Sequence, residues 1–413
     1  MKFCKRCLYS DAHPLGLVID SEGICSGCRI HEEKDKLDWN LRWIKLEKIV
    51  SEYKCKSGNN YDCIVPVTGG NDSYYIVWLV KEKLKLNPLL VNYNKFYNTP
   101  LGIRNLANLR IHFNCDIIYQ NVNPLSVKKI TRETLRRFGS IYWHILAGHS
   151  VFPVQTSVRF KIPLIIWGAH QGLEQVGMFS HEHEVEMTRR YRADHDLFMA
   201  CPTKLKTPFN TINDNDLWNY LYPDDFDLNQ VGTRGIYLGN FVRWDPKAQH
   251  ELMIQKCNYK TSQFSRTFDC YDYVDCYNYM DVHDLLKLYK HGYSKVTDHA
   301  TREIRHKRLT REKGLKLVKK YEQKPLLFLK KFCSWLGINE KSLQFTLNQH
   351  RNKKYWIQKD PNSWLFNGWS ILNTSSDEDN VSDENFENRF LINDDIERAK
   401  SSNYITIGKG YPD

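Results

Sequence analysis

No stretch of this 413-residue chain approaches the roughly 18 to 20 consecutive apolar residues that cross a bilayer. The first residues, MKFCKRCLYSDAHP, lack the apolar run of a secretory leader. These absences predict a soluble, cytoplasmic protein with no membrane span. A disulfide framework is missing too. Four of the twelve cysteines cluster at the N-terminus, and Cys55, Cys63, Cys115, Cys201, Cys257, Cys270, Cys276 and Cys333 follow no spacing pattern, as expected of reduced, mostly buried thiols. Neither G-x-x-x-x-G-K-[ST] nor G-x-G-x-x-G occurs, which excludes a Walker A loop and a dinucleotide fingerprint. With 41% hydrophobic residues, the chain has material for one large domain with accessories or for two domains, and needs no covalent staples.

The charge is uneven. Overall 59 Lys/Arg stand against 48 Asp/Glu, but residues 374–413 carry 10 acidic and 4 basic side chains, which leaves 55 basic against 38 acidic residues in the first 373. Such a surplus suits anionic partners, whether nucleotides, nucleotide sugars, nucleic acid or an acidic surface, without choosing among them. Between Arg302 and Lys354 the count is 16 basic to 4 acidic, so the surplus is concentrated there.

Residues 1–36 form a cysteine module. The next segment, LDWNLRWIKLEKIVSEY, places Leu37, Leu41, Ile44, Leu46, Ile49 and Val50 at roughly helical spacing and predicts a bridging helix. From 61 to about 200, short apolar runs (YDCIVPV, PLLVNYN, CDIIYQNV, IPLIIWG) alternate with amphipathic stretches, as in a parallel sheet with right-handed helical crossovers. The predicted class is therefore α/β, with a main domain over 37–245. Beyond it, MDVHDLLKLYKHGY, EKGLKLVKKYEQ and PLLFLKKFCSWLGI predict a basic helical region over 246–373. The acidic stretch 374–413 has the composition of a disordered tail.

Cys4, Cys7, Cys25 and Cys28 make C-x2-C-x17-C-x2-C, two knuckles able to present four thiolates to one structural Zn²⁺ with no position left for water. The alternative is four unligated thiols. Gly23-Ile24-Cys25-Ser26-Gly27 also matches the turn that exposes a glutaminase nucleophile, but that turn needs an α/β domain around it and only 22 residues precede it.

Val67-Thr68-Gly69-Gly70-Asn71-Asp72-Ser73 follows the first strand and opens into a helix. Adjacent glycines admit phosphate oxygens to backbone N–H groups, two hydroxyls add donors, and the helix N-terminus supplies positive potential. A plain turn with an Asp cap is the alternative. The loop resembles the S-G-G-x-D-S PP-loop of N-type ATP pyrophosphatases, with Thr68 for Ser and Asn71 where many members carry Lys. Together with the knuckles, N-T-x-x-G-x-x-N-L at Asn98–Leu106, and the segments WGAHQGLEQVGMFSHEHEVEMTRRYRADHD, YLGNFVRWDPKAQHE, RTFDCYDYVDC and HDLLKLYKHGYSKVTDHATREIRHKRLTRE, the chain is similar over roughly 1–325 to the PP-loop N-acetyl sugar amidotransferases of bacterial surface-polysaccharide (O-antigen, capsule) biosynthesis.

The resemblance implies a Rossmann-like PP-loop domain that uses ATP and Mg²⁺ to adenylate an acetamido oxygen of a nucleotide sugar. Ammonia from a separate class I glutaminase then makes the acetamidino group. It implies Asp72 and Ser73 at the reacting phosphate, with Asp72 positioning Mg²⁺. Because ligands of open α/β sheets bind at the carboxyl ends of strands, Asn92 and Tyr93 are expected on the adenine and ribose side, with core packing as the alternative for Tyr93. Gly168 is expected to allow a close backbone approach. Glu174, Glu184, Glu186, Arg189 and Arg190 are candidates for the sugar. Arg302, Glu303, Arg305, Arg308 and Arg311 partly share a helix face, either to bind phosphates or as a solvated surface. His181 and His183, alternating with acids, raise a metal site that the resemblance does not require. A PP-loop tRNA thiolase is the rival enzyme, disfavoured because Cys115 and Cys201 are isolated, so no nucleic-acid partner is expected. A non-enzymatic scaffold is the third reading, favoured only by Asn71.

Overall fold

The computed structural model describes residues 2–209, 211–360 and 363–366. The acidic segment 374–413 lies outside the described residues. Five strands, β1 (Cys63–Pro66), β2 (Pro88–Tyr93), β3 (Ile117–Gln120), β4 (Leu164–Trp167) and β5 (Arg234–Tyr237), form one sheet in the order β3-β2-β1-β4-β5, all parallel. At its centre Ile64 stands opposite both Leu89 and Ile165. Strand direction of winding therefore reverses between β1 and β4, the switch point at which open sheets bind ligands.

Pleating sorts the strand residues by face. Cys63, Val65, Leu90, Leu164 and Ile166 join a core with α3 (Asn71–Trp78), α4 (Pro100–His112) and the helix Pro246–Cys257. Ile64, Leu89, Val91 and Ile165 join another with α5 (Pro124–Phe138) and α6 (Trp143–Phe160). Covering both faces explains why the strands read as continuous apolar runs. Thr99 and Asn123 cap α4 and α5 through their side chains, each followed by the Pro that suits a first helical position. The sequence boundary at 245 falls inside the first core, because Met253 and Cys257 pack with Val77 and Val80 there.

Two earlier helices precede the sheet, α1 (Ser26–Lys34) and α2 (Trp39–Tyr53). The bridging helix is present as α2, although it buries only Leu46 and Val50 while Leu41 and Ile44 stay exposed. The cysteine module is not a free-standing knob. Leu8, Tyr9 and Leu17 share a core with Val296, Ala300 and Ile304 of the helix Lys295–Arg305 and with Leu315 and Val318 of the helix Arg311–Glu322. The helices Met280–His291, Leu329–Leu336 and Glu340–Gln349 form a further core with Tyr97, Ile141 and Ile145. Among the described residues no helix is long and apolar enough to cross a membrane.

Candidate active site

The loop between β1 and α3 folds on its own hydroxyls. Thr68 N–H donates to Ser73 Oγ at 2.8 Å, and Gly70 N–H donates to Thr68 Oγ1 at 3.0 Å. Gly70 is the helix cap and brings no side chain, so the first turn of α3 keeps its N–H groups without a side-chain cap. The two glycines have different reasons. A Cβ on Gly69 would stand 2.2 Å from the Gly102 carbonyl oxygen, whereas one on Gly70 would meet only Thr68 Oγ1 at 3.2 Å. Gly69 is thus required by α4, whereas a side chain at Gly70 would press only on the Thr68 hydroxyl.

A second loop, Asp269–Cys276, braces this one. Thr99 caps α4, donates its hydroxyl to the Val274 carbonyl at 2.7 Å, and donates its N–H to the Asp275 carbonyl at 3.0 Å. A Cβ on Gly102 would stand 2.5 Å from Asp275 Cα. Gly102 is therefore pinched between the Thr68–Ser73 loop and Asp275. Asp275 pairs with Lys95, both buried. Burial would raise the Asp275 carboxyl, but Lys95, aided by Thr68, holds it below the usual range.

Among the described residues Asp72 has no ion-pair partner; Asn71 Nδ2 donates to its Oδ1 at 3.4 Å. Its carboxyl is pushed up to about 7, first by the protein walls around it and next by Asp272, with Glu174 and Asp269 adding to the effect and Arg302 opposing it. Water reaches the side chain, which screens the shift. Asp272 goes the other way. Burial acts to raise it, yet His299 Nε2 at 3.1 Å from Oδ2 and the Arg302 guanidinium hold it well below the ordinary carboxylate range. Two carboxyls driven apart in one cleft are an arrangement enzymes use. A solvent-facing carboxylate crowded by like charges also fits a divalent cation, so Asp72 suits the role expected for Mg²⁺.

Arg302 is in this cleft but is already engaged. It pairs with Asp269, lies 3.4 Å from Asp272 and 3.2 Å from Glu303, and sits over the Tyr271 ring. Glu174 is also here, paired with the fully buried Lys34, and its Oε1 is buried without a partner. The other expected substrate residues are elsewhere. Glu184 pairs with Lys45 of α2 at 2.5 Å, Glu186 with Arg234 of β5 at 2.8 Å, and Arg189 with Asp225 at 2.8 Å, while Arg190 is almost wholly exposed beside Asp194. The five Arg/Glu positions do not share a helix, because the chain leaves it after Arg305, with Lys307 in the left-handed region at φ 60°.

The structure gives Asn92, Tyr93, Gly168 and Arg305 the following partners. Asn92 Nδ2 donates to the Val67 carbonyl at 2.8 Å and so steadies the start of the loop. Tyr93 is buried, its hydroxyl 2.8 Å from Tyr220 and 3.1 Å from His144 Nδ1, which is the packing alternative. A Cβ on Gly168 would stand 2.8 Å from Ile76 Cδ1, so packing against Ile76 favours a glycine there. Arg305 lies beneath the cysteine cluster, donating to the Gln175 carbonyl at 2.6 Å and toward Cys25 Sγ at 3.4 Å.

Cys4, Cys7, Cys25 and Cys28 are buried, with their sulfurs all within 4.8 Å of one another. Thiolates around one zinc ion at about 2.3 Å stand about 3.8 Å apart, and the Cys4–Cys28 and Cys7–Cys25 separations of 4.0 and 3.5 Å bracket that value. Backbone N–H groups of Arg6, Cys7 and Cys25 point at Cys4 Sγ from 3.3 to 3.4 Å. The set fits a structural zinc ion. Cys25 is too enclosed to act as an exposed nucleophile. His181 is buried against Glu33, Nδ1 at 2.8 Å, and His183 Nδ1 accepts from Ser180 N–H, so the two do not converge on a metal. Cys115 is buried in the core.

Lys34, Lys95, Asp269, Asp272, Asp275 and His299 are the cleft residues that reasoning from sequence missed. One signal was present: Asp269, Asp272 and Asp275 recur at three-residue intervals in D-C-Y-D-Y-V-D-C.

Residues 251–371 match a family described as the C-terminal domain of the LPS biosynthesis protein WbpG-like proteins. The aspartate loop, His299 and Arg302 lie inside that range. A curated relative, "Uncharacterized protein MJ1599" of Methanocaldococcus jannaschii, is 31% identical over 121 residues, 29% of this chain and 42% of that protein. The chain thus spans less than half the length of this relative. The NMN synthetase structure from Francisella tularensis covers 55% of this chain and 98% of its own, at 13% identity and a TM-score of 0.27, a likeness too slight to carry any argument.

Proposed function

We propose that this chain is the synthetase component of an ATP-dependent amidotransferase that converts an acetamido group of an N-acetylated nucleotide sugar to an acetamidino group in surface-polysaccharide biosynthesis. The observation that carries the reading is the loop Thr68–Ser73 at the switch point of a parallel sheet, with the unpaired Asp72 beside uncapped N–H groups. The match of 251–371 to an LPS biosynthesis domain supports the polysaccharide context.

In this reading the loop N–H groups hold the ATP phosphates, and Ser73, whose oxygen accepts from Thr68, keeps its own proton to donate. Asp72 would hold Mg²⁺, which supplies charge neutralisation at the phosphates when bound. The acetamido oxygen attacks the α-phosphorus and pyrophosphate leaves. Ammonia adds to the imidate carbon, AMP departs with the former acetamido oxygen, and a proton is released. No covalent enzyme nucleophile is required; positioning and charge stabilisation supply the rate. The zinc ion is structural. Ammonia comes from a separate class I glutaminase, delivered directly because at neutral pH nearly all of it is protonated and water would compete for the adenylate.

The test is incubation with candidate N-acetylated nucleotide sugars, ATP, Mg²⁺ and ammonium at raised pH. The expected result is sugar-dependent AMP formation and a mass change of about −1, for NH in place of O. Glutamine should serve only after a glutaminase is added. AMP formation dependent on tRNA, or none with any sugar, would overturn the reading.

A further inference from the structure

Away from the cleft, the last two helices carry positive charge that the described acids leave uncompensated. Residues 329–354 hold six Lys/Arg against one acid, Glu340. The helices Leu329–Leu336 and Glu340–Gln349 pack on one another. Among the described residues Lys330 and Lys331 of the first, Lys341 of the second, and Lys353 and Lys354 just beyond it make no ion pair. Four of these five are exposed and Lys331 is half-buried. Leu343 and Leu347 turn one side of the helix Glu340–Gln349 into the core, so Lys341, Phe345 and Gln349, spaced four apart, share its outer side. Phe345 is 68% exposed there. Cations gathered around an apolar ring repel one another until an acidic partner covers them.

The path of the chain points to that partner. Strands Trp356–Asp360 and Ser363–Phe366 form a hairpin in which Phe366 lies opposite Trp356, two residues from Lys354. The chain thus continues toward its C-terminus from beside these lysines. The fifteen residues 374–388, TSSDEDNVSDENFEN, hold six acids and no Lys or Arg, with Phe386 among the acids. Asp377 stands eleven residues beyond Phe366, a reach of up to about 36 Å when extended. The helix Glu340–Gln349 is only about 15 Å long, so the acids can reach every lysine along it. Exposed ion pairs are weak singly and are screened by salt. Tethering compensates, because a short flexible linker raises the effective concentration to about 1 mM, at which several weak pairs suffice.

We propose that the acidic segment 374–388 docks on this basic face of its own chain. Its carboxylates pair with Lys341, Lys353 and Lys354 and with the neighbouring Lys330 and Lys331, and Phe386 covers Phe345. The contact neutralises the face and closes it to other polyanions. It requires neither ATP nor a sugar and does not depend on the amidotransferase reading.

Carbodiimide crosslinking of the full chain joins a carboxylate directly to a lysine amine. Mass spectrometry should find residues 377–387 linked to Lys330, Lys331, Lys341, Lys353 or Lys354, with the exposed Lys48 and Lys161 as controls that link little. The links should vanish in about 1 M salt, where screening acts within about 3 Å. A full-length variant with Asn or Gln at all six acids should bind a synthetic 374–388 peptide saturably, and the parent, already covered, should bind it at least about tenfold more weakly. Lys341→Glu with Phe345→Ala in that variant should weaken the peptide at least about fivefold while the far-UV spectrum stays unchanged. Crosslinks no more frequent than those to Lys48 and Lys161, equal peptide binding by the parent and the amide variant, or heparin bound as tightly by the parent as by that variant would each overturn the proposal.

Discussion

The Gly102 carbonyl oxygen occupies the space a side chain on Gly69 would need, 2.2 Å from where its Cβ would stand, so the phosphate loop is held against the first turn of α4 by backbone alone. Gly70, one residue on, has no such neighbour. Gly69→Ala should therefore destabilise the protein by about 1–3 kcal/mol, read as a lower denaturant midpoint. Gly70→Val should lower that midpoint less than Gly69→Ala does, because its Cβ meets only Thr68 Oγ1 at 3.2 Å, and should abolish ATP binding by calorimetry. Retained ATP affinity in Gly70→Val removes the loop from the site.

Asp72 predicts a pH dependence with a definite sign. Its native carboxyl is raised to about 7, against about 3.9 in an unfolded chain. Between those values the native state holds the proton and the unfolded state does not, so stability falls as pH rises through that window. Thermal melts of Asp72→Asn should gain on the parent at pH 8 and match it near pH 4, and Mg²⁺ should stabilise the parent alone at pH 8. A parent and variant that run parallel across the range contradict the crowded carboxylate.

Arg302 neutralises Asp269, whose side chain is fully buried, together with Asp272. Arg302→Ala takes the ion pair from the buried Asp269 and leaves Asp272 with His299 alone, which should cost about 3–5 kcal/mol. Arg302→Lys should rescue little, since a point charge cannot serve two acids as the planar fork does. Urea unfolding of both variants measures this.

The cysteine cluster should contain one zinc ion by elemental analysis, and chelation should unfold residues 1–36 and loosen the helix Lys295–Arg305 that shares their core. Arg305→Met removes the donor to Cys25 and should weaken zinc retention about 10- to 100-fold in a chelator competition. Protein purified without chelator and free of zinc would end this reading.

Glu184→Gln, Glu186→Gln and Arg190→Gln should change sugar-dependent AMP formation by less than about twofold, because each partner lies on the surface and such pairs contribute little. Glu174→Gln, which breaks the buried pair with Lys34, should reduce it more than tenfold, by a rough estimate from the cost of a stranded buried charge. Steady-state assays with ammonium decide between them.

Local chemistry alone determined much of this protein. Runs such as CIVP and PLLVNY, flanked by Thr99-Pro100 and Asn123-Pro124, specify strands and capped helices wherever the chain goes, and T-G-G-N-D-S specifies a tight glycine turn between a strand and a helix. The four cysteines likewise announce their cluster by spacing. Two elements carried no periodic signal: β5, RGIY, has only Ile236 and Tyr237 as apolar residues and so no apolar run, and α6 is buried nearly all round, so it shows no amphipathic stripe. What the tertiary structure decided is which polar residues meet. Arg305 reads as another cation of a basic helix, yet it turns toward Cys25 because helix Lys295–Arg305 packs against the cysteine module. Asp269, Asp272 and Asp275 lie about 200 residues beyond Asp72 in the chain and share its cleft only because Gly102 lets their loop close against Gly69. Such pairings depend on long-range packing that no local pattern encodes, whereas the strands, caps and phosphate loop depend on neighbours within a few residues.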